Sequence, residues 1–453
     1  MYVSIVGSGY VGTTVAACLA ELGHDVVNVD VDAEIVDAIN AGEAPIHEPG
    51  LAELIATHAG ERLRATTEYA AVRDTDLTFL CLPTPQADDG SLDLGPMRAA
   101  SESLGDALGG VDSREAAVGG SSRDGDVRDD PSSDRVADHL VVVKSTVLPG
   151  TTEEVVGPIV AEHSGLSVGD GLELAMNPEF LRMGSAVDDF QQPDKVVVGA
   201  TSEGAAGTLR ELYGPILARE ETEYVETDLR SAELIKYANN AFLAAKVSLV
   251  NELGNVAKAY DADAYEVLEA VGLDDRISER FLRSGLGWGG SCFPKDVNAL
   301  RAGAREQGYD PELLDAVVAV NDGQPDRLVE LLADHVDPED ARIAVLGLSF
   351  KPHTDDVRKS RALLVIDHLR ERGANVVAYD PVATENVRER YPDLAYADSL
   401  EAALEGVDAA VVATDWPEFD DLPVEVMGNR VLVDGRRIDV DPDEFDVYEG
   451  LTW

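Results

Sequence analysis

The apolar positions of this chain fall into short blocks separated by glycine-containing turns, with longer helical stretches between some of them. Residues 2–6, Tyr-Val-Ser-Ile-Val, predict a short buried strand. The run Thr13–Leu22 predicts a helix that Gly23 ends, and Asp25–Asp30 predicts a second strand. Further buried strands are expected at Thr75–Leu82, Leu140–Val143, Leu172–Met176 and Lys195–Gly199, so the first part of the chain alternates between strand and helix. From about Thr208 to Gly272 the pattern turns helical, and Ala232–Tyr260 is one long apolar-periodic run. Past more helix, Ala341–Leu346, a helix near Ser360–Arg372 and a strand over Asn375–Asp380 begin a second α/β unit, a weak internal repeat of the first. Residues 110–138 are dominated by Gly, Ser, Asp and Arg, have no apolar period and are expected to form a disordered surface insertion.

The first strand runs into Gly7-Ser-Gly9-Tyr10-Val11-Gly12, and the second ends in Asp30. Strand, glycines, helix, strand and terminal acid in this order form a dinucleotide fingerprint on a Rossmann-like unit. The glycines allow a tight turn and bring a pyrophosphate to the helix N-terminus. Asp30 would accept hydrogen bonds from ribose hydroxyls and repel a 2′-phosphate, which favours NAD over NADP. The bland alternative is a Rossmann-like unit without cofactor. Strand ends carry further candidates. Thr84, in Pro83-Thr84-Pro85, is either a cofactor contact or part of a plain proline turn, and Lys144-Ser145-Thr146 follows the strand Leu140–Val143. Glu179, in Asn177-Pro-Glu-Phe-Leu-Arg182-Met183, is either functional or a cap on the next turn. Lys236 and Asn240 lie four residues apart and so share a helix face, where they either point into a cleft or belong to a structural spine.

One stretch gathers the most chemistry: Gly285-Leu-Gly-Trp-Gly-Gly-Ser-Cys292-Phe-Pro-Lys295-Asp296. Its glycines would let backbone approach a ligand closely. A thiol, a cation and a carboxylate follow within five residues. With the N-terminal fingerprint, this pattern predicts a nicotinamide-dependent oxidation that uses a thiol. In the second α/β unit Lys351, Arg358, Arg436 and Arg437 lie at or after strand ends and suit a phosphate-bearing substrate. That unit lacks the second glycine of the fingerprint, so it is not expected to hold a dinucleotide in the same way.

Composition sharpens this picture in three ways. A length of 453 residues with 45% apolar content suits two or three domains with sizeable cores. No apolar run reaches the ~18 residues of a membrane span, and Met1-Tyr-Val-Ser-Ile-Val has no basic n-region, so a cytoplasmic location is expected. The balance of 87 acidic against 36 basic residues, a net charge of −51, argues against nucleic acid and anionic membrane as partners. It fits a surface adapted to concentrated salt, where screening relieves self-repulsion. Only eight residues are lysine, and Lys144, Lys236, Lys295 and Lys351 all fall in the motifs above. The three cysteines show no metal-ligand spacing, and Cys18 and Cys81 read as buried apolar residues.

Taken together, Gly7-Ser-Gly-Tyr-Val-Gly12, Lys144-Ser-Thr146-Val, Asn177-Pro-Glu-Phe-Leu-Arg182, Lys236 with Asn240, Gly289-Gly-Ser-Cys-Phe-Pro-Lys-Asp296 and Gly347-Leu-Ser-Phe-Lys351 resemble the UDP-glucose/GDP-mannose dehydrogenase family. The motifs occur in that family's order over nearly the whole chain, and the ending Phe-Pro-Lys-Asp is most like the UDP-glucose 6-dehydrogenase branch. The resemblance implies an α/β fold with two Rossmann-like parallel-sheet domains joined by a helical core with a long central helix. It divides the chain into an NAD-binding domain (1–205), a helical dimerisation domain (206–318) and a C-terminal domain for the UDP-sugar (319–453). It implies four-electron oxidation at sugar C6 by two NAD⁺ through a thiohemiacetal and thioester on Cys292, in a homodimer or higher homo-oligomer, with no metal. GDP-mannose, another UDP-hexose, or a single-step oxidation of the β-hydroxyacid kind are the alternatives.

Roles follow from the same resemblance. Lys236 and Asn240 would stabilise the oxyanion, Asp296 would act as base or water positioner, and Thr146 and Glu179 would hold the hydrolytic water. Gly7, Gly9, Tyr10, Val11, Gly12, Asp30, Thr84, Thr146, Lys295 and Arg358 would contact the cofactor. The sugar nucleotide would meet Glu179, Phe180, Leu181 and Arg182, then Phe281, Leu282, Arg283, Ser284, Gly285 and Gly289, and finally Lys351 and Arg436. Arg276 would reach the neighbouring subunit's site. Met183 departs from the family pattern, which has a second glutamate there.

Overall fold

The computed structural model describes residues 1–87, 89–109, 139–219 and 221–453. The expected insertion at 110–138 lies outside the described residues. The chain divides into two compact units, Met1–Ala238 and Asn239–Trp453. The helix Leu229–Ala259 contributes its start to the first unit and its remainder to the second.

The first unit is built on a sheet with nine strands among the described residues. These are β1 (Tyr2–Val6), β2 (Asp25–Val29), β3 (Leu63–Thr66), β4 (Leu77–Leu80), β5 (His139–Val143), β6 (Ser167–Val168), β7 (Gly171–Met176), β8 (Lys195–Ala200) and β9 (Glu223–Thr227). The order is β3-β2-β1-β4-β5-β7-β8-β9, with β6 beside β7. Strands β1 to β7 pair in parallel, and β8 is antiparallel to β7. Near-continuous apolar strands suit a sheet covered on both faces. Alternate residues feed the two layers: Val3, Ile5, Leu77, Phe79, Leu140 and Val142 pack with Val15 and Leu19. Their neighbours Val6, Leu80, Val141 and Val143 pack with Met97 and Leu104. Cys18 and Cys81 are buried, and burial pushes each thiol up to about 12.

In the second unit, β10 (Arg342–Leu346), β11 (Asn375–Tyr379), β12 (Ala395–Tyr396), β13 (Ala409–Val412), β14 (Val431–Asp434) and β15 (Val447–Gly450) form an all-parallel sheet in the order β12-β11-β10-β13-β14-β15. This repeats the 3-2-1-4-5-6 order of a dinucleotide-binding fold. The remainder of the long helix and the helices Ala264–Gly272, Phe293–Glu306 and Glu312–Ala333 precede that sheet. The expected α/β class and long helix are therefore present. One element differs: β9 interrupts the run expected to be helical from Thr208. Its sequence Glu-Tyr-Val-Glu-Thr is half exposed and gains its ladder from the free edge of β8, which local periodicity does not reveal.

A polar chain crosses the middle of the first sheet. Ser4 Oγ bonds Thr78 Oγ1 at 2.6 Å, and Thr78 Oγ1 bonds His139 Nε2 at 2.7 Å. Burial pulls the His139 imidazole down to about 4. A histidine that stays neutral in the fold but protonates when unfolded stabilises above its ordinary value of 6.5, and this stability is lost as pH falls towards about 4. Replacing it by Gln should flatten that part of the profile: between pH 6.5 and 4 the native chain should lose about 3 kcal/mol more than His139→Gln, read from denaturation midpoints at constant salt.

Candidate active site

In the first unit the dinucleotide turn takes the expected form. Gly7 leaves β1 at φ +98° and donates to Val29 O at 2.9 Å. A Cβ on Gly12 would overlap the Gly7 carbonyl, whereas one on Gly9 would meet open space. Gly9 therefore leaves a cradle at the start of the helix Tyr10–Glu21, whose N-terminus has no side-chain cap. Asp30, directly after β2, accepts from Ser8 N at 2.5 Å and Asp32 N at 2.9 Å and remains half-buried at the rim. Uncapped amides, an open glycine and an acid at the next strand end fit the two ends of an adenosine diphosphate. Val11 is half-buried on the same turn, and buried Thr84 donates to the Thr146 carbonyl at 3.0 Å.

Tyr10 shows a link not legible in the sequence. Its hydroxyl bonds Glu48, and burial with this carboxylate alongside pushes the phenol up. Glu48 also accepts from Gly184 N at 2.9 Å and Ala186 N at 2.7 Å. One buried acid therefore ties the cofactor turn to the loop that carries Glu179 and Met183. A second buried acid, Glu233, accepts from Gly150 N at 2.5 Å, Thr152 N at 2.8 Å and Thr152 Oγ1 at 2.7 Å. It fastens the segment after Thr146 to the helix that bears Lys236.

Glu179 and Lys236 come together, Oε1 to Nζ at 3.3 Å, both nearly buried. Glu179 also accepts from Leu181 N at 2.7 Å, so it caps its own turn and pairs with the lysine. The Phe180 ring lies 5.3 Å from Lys236 Nζ. Arg182 points elsewhere, forming an exposed fork with Asp189. Beside this pair, Lys144 is buried against Asn177 and Tyr213, and desolvation pulls it down to about 8.

In the second unit, Cys292 is exposed at the N-cap of the helix Phe293–Glu306. Asp296 in its first turn is buried; Asn240 Nδ2 donates to its Oδ2 at 2.6 Å and Lys295 Nζ to its Oδ1 at 2.6 Å. Asn240, Lys295 and Asp296 thus form one cluster at the foot of the cysteine. Gly290 N donates to the Arg358 carbonyl at 2.9 Å, which lays the cysteine loop along Arg358. The Arg358 guanidinium forks onto Asp356, and that pairing, with a lesser contribution from the Cys292 sulfur, holds it above its usual range.

The glycines around the cysteine differ from expectation. A Cβ on Gly285 would lie 2.6 Å from Gly435 O, one on Gly289 would overlap Lys359 O, and one on Gly290 would lie 2.8 Å from the Phe350 ring. At these three positions the close approach is between segments of the protein itself. Amide side chains secure the loop: Asn251 Oδ1 accepts from Gly285 N, Gln324 Nε2 donates to Gly285 O, and Asn321 pairs with both main-chain polar groups of Trp288. Their only sequence signal is an amide at an otherwise apolar helix position.

Along Phe281–Gly285, Leu282 and Ser284 are buried while Phe281 and Arg283 are exposed, and Phe281 has φ +63°. Arg436 donates to Ala413 O at 2.8 Å and Gly287 O at 3.2 Å. Buried Asp434 orients it by accepting from Arg436 N and Arg437 N. Lys351 Nζ lies 5.6 Å from the Phe350 ring, half-buried. Arg276 is fully outward, forked onto Asp274.

Comparison with known proteins fits this division of labour. The NAD-binding domain model of the UDP-glucose/GDP-mannose dehydrogenase family matches residues 1–113 and 131–217. Its central domain matches residues 230–323 and its UDP-binding domain residues 344–440. The chain is 57% identical to UDP-glucose 6-dehydrogenase AglM of Haloferax volcanii over the full length of both. It is 35% identical to GDP-mannose 6-dehydrogenase of Pseudomonas putida over 95% of this chain and 91% of that one. A solved UDP-glucose dehydrogenase from Pyrobaculum islandicum superposes with a TM-score of 0.88 at 40% identity, covering 100% of this chain and 98% of the other. Among the described residues no helix is long and apolar enough to cross a membrane.

With NAD as the cofactor and Asp30 expected at its ribose, charge at that acid should set the selectivity. Asp30→Asn keeps the shape and removes the charge, so the preference for NAD over NADP should narrow by about tenfold in equilibrium titrations of the two nucleotides.

Proposed function

Because the chain belongs to the UDP-glucose/GDP-mannose dehydrogenase family, we propose that it oxidises C6 of UDP-glucose to the carboxylate of UDP-glucuronate through a covalent intermediate on Cys292. The observation that carries the sugar is the 57% identity, over the full length of both chains, with a UDP-glucose 6-dehydrogenase. In this reading 1–205 hold the cofactor, 206–318 form the dimerisation core and 319–453 hold the UDP portion.

NAD, when bound, supplies a hydride acceptor for each of the two oxidations. Gly7, Gly9, Gly12 and Asp30 hold it, with Tyr10, Val11, Thr84, Thr146, Lys295 and Arg358 as further contacts. Phe281–Gly285, Gly289, Lys351 and Arg436 hold the sugar nucleotide, with Phe180 and Leu181 beside the sugar; Arg182, forked onto Asp189, is left out of this role. Lys236 relays the C6 hydroxyl proton to solvent in the first oxidation, giving up one of its own protons as it takes the hydroxyl's, and its ion pair with Glu179 keeps the ammonium in place. The Cys292 sulfur then bonds to the aldehyde carbon. The oxygen of the resulting thiohemiacetal is stabilised by Lys236 and Asn240. The helix N-terminus beneath Cys292 and the Arg358 cation both place positive potential at the sulfur.

The second oxidation leaves a thioester. Water held by Thr146 and Glu179 bonds to the acyl carbon, and the carbon–sulfur bond breaks. The products are a carboxylate and the Cys292 thiol, with one proton released. Asp296, fixed by Asn240 and Lys295, is the acceptor that orients or deprotonates this water. Glu179 and Asp296 thus carry the acid–base work, since the thioether of Met183 cannot.

The decisive measurement is stoichiometry in concentrated salt, with UDP-glucose, GDP-mannose and UDP-N-acetyl sugars offered in turn. Two NADH per UDP-glucose are expected, with Cys292→Ser stalling before product release. One NADH per sugar would overturn the covalent scheme, and turnover of GDP-mannose instead would overturn the substrate.

The helix Leu229–Ala259 and the residue after it expose Phe242, Leu249, Leu253, Val256 and Tyr260 along one stripe. A continuous apolar stripe of this kind suits a second copy of the chain. Phe242→Asp combined with Leu249→Asp should convert dimer to monomer in light scattering and free Arg276 from any role in a neighbouring site.

A further inference from the structure

Strands β5 and β7 run parallel and leave the sheet side by side, with Val143 opposite Met176 as the last paired residues. The final main-chain rung is Asn177 N to Val143 O at 2.9 Å. Pro178 follows, and without an N–H it cannot extend the ladder. Along the two segments that leave the sheet, Thr146 lies two residues beyond Lys144 and Glu179 two residues beyond Asn177.

Side chains bridge the gap where the ladder stops. Lys144 Nζ donates to Asn177 Oδ1 at 2.8 Å, and the Tyr213 hydroxyl donates to the same oxygen at 2.7 Å. Asn177 Nδ2 in turn donates to Val197 O of β8 at 2.7 Å. All three residues are buried: 5% exposure for Lys144, 1% for Asn177 and 3% for Tyr213. Burying an ammonium costs several kcal/mol, and a methionine of similar volume would fill the site without that cost. Stability alone therefore does not account for a lysine here, in a chain that has only eight.

We propose that Lys144 is a positioning residue for the hydrolytic half of the reaction: by gripping Asn177 across the end of the sheet it sets Thr146 and Glu179 at the spacing that holds the water which cleaves the Cys292 thioester. This rests on the roles of Thr146 and Glu179 given above. Glu179 is located twice more, by Leu181 N and by Lys236, so loosening Asn177 moves its main chain without removing its charge. Hydride removal and sulfur attack do not depend on this spacing; attack by water does.

The test is the covalent state of Cys292 during turnover. Full-length Lys144→Met, given NAD⁺ and UDP-glucose and quenched, should carry a glucuronyl adduct on Cys292 by intact-mass spectrometry, while the native chain carries little. Its kcat should fall by about tenfold or more, and KM for UDP-glucose should fall with it so that kcat/KM stays nearly unchanged, as expected when the step that is slowed follows formation of the thioester. Tyr213→Phe removes one of the two donors to Asn177 without a volume change in the core and should show a smaller adduct fraction, which keeps the question open to test if Lys144→Met folds poorly. Glu179→Gln is the control for the underlying reading. If Glu179→Gln accumulates adduct while Lys144→Met and Tyr213→Phe turn over without it, the positioning role is overturned. If Glu179→Gln accumulates none, its water-holding role falls and the positioning proposal falls with it.

Discussion

Each sheet depends on a glycine in left-handed conformation directly after its central strand. Gly7 at φ +98° and Gly347 at φ +84° each donate back to the neighbouring strand, to Val29 O and Tyr379 O. An L side chain is strained at such a φ, and a Cβ would also strike Cys81 O in the first unit and Thr414 in the second. The turn sends the chain away over the carboxyl edge, where ligands of open α/β sheets bind. The next strand then ends in an acid in both units, Asp30 and Asp380. Their fates differ. Asp30 stays at the rim, whereas Asp380 is buried and receives Leu348 N, Ser349 N, Val382 N, Ala383 N and the Trp416 indole. The same device leaves its acid half-buried at the rim in one copy and spends it as an internal fastener in the other.

Around these turns the loops are held by buried polar groups rather than by more secondary structure. Glu48 joins the cofactor turn to the Glu179 loop, Glu233 joins the Thr146 segment to the long helix, and Asn251, Asn321 and Gln324 secure the cysteine loop. A buried carboxylate or amide is tolerable only when its bonding capacity is met, so each such group specifies one loop position sharply. In the second unit, backbone strain marks the same places. Ser278, Phe281, His353, Lys359 and Arg437 all take positive φ beside the segments assigned to the sugar nucleotide. The acidic surface contributes to neither device; its charge concerns solvation in salt, and the fold beneath it is organised by ordinary apolar layers.

The sequence by itself determined β1, β2, β4, β5, β7, β8, β10 and β11, whose apolar runs have few other uses, the dinucleotide turn with its terminal acid, the long helix, and the residue types gathered around Cys292. These are legible because each depends on neighbours within about one element's length. Glu179 was visible but ambiguous, and it proves to be both a cap and an ion-pair partner of Lys236. The tertiary structure alone decided that β9 is an edge strand, that Glu48 and Glu233 are fasteners, that Lys144 is spent on Asn177, and that the glycines at 285, 289 and 290 make room for protein backbone. Each of these rests on a partner far away in sequence: Glu48 meets Gly184, Glu233 meets Gly150 and Gly285 meets Gly435. The physical reason is that a buried polar group or a bare Cα is defined by what fills the space beside it, and that neighbour is chosen by chain packing, not by local spacing.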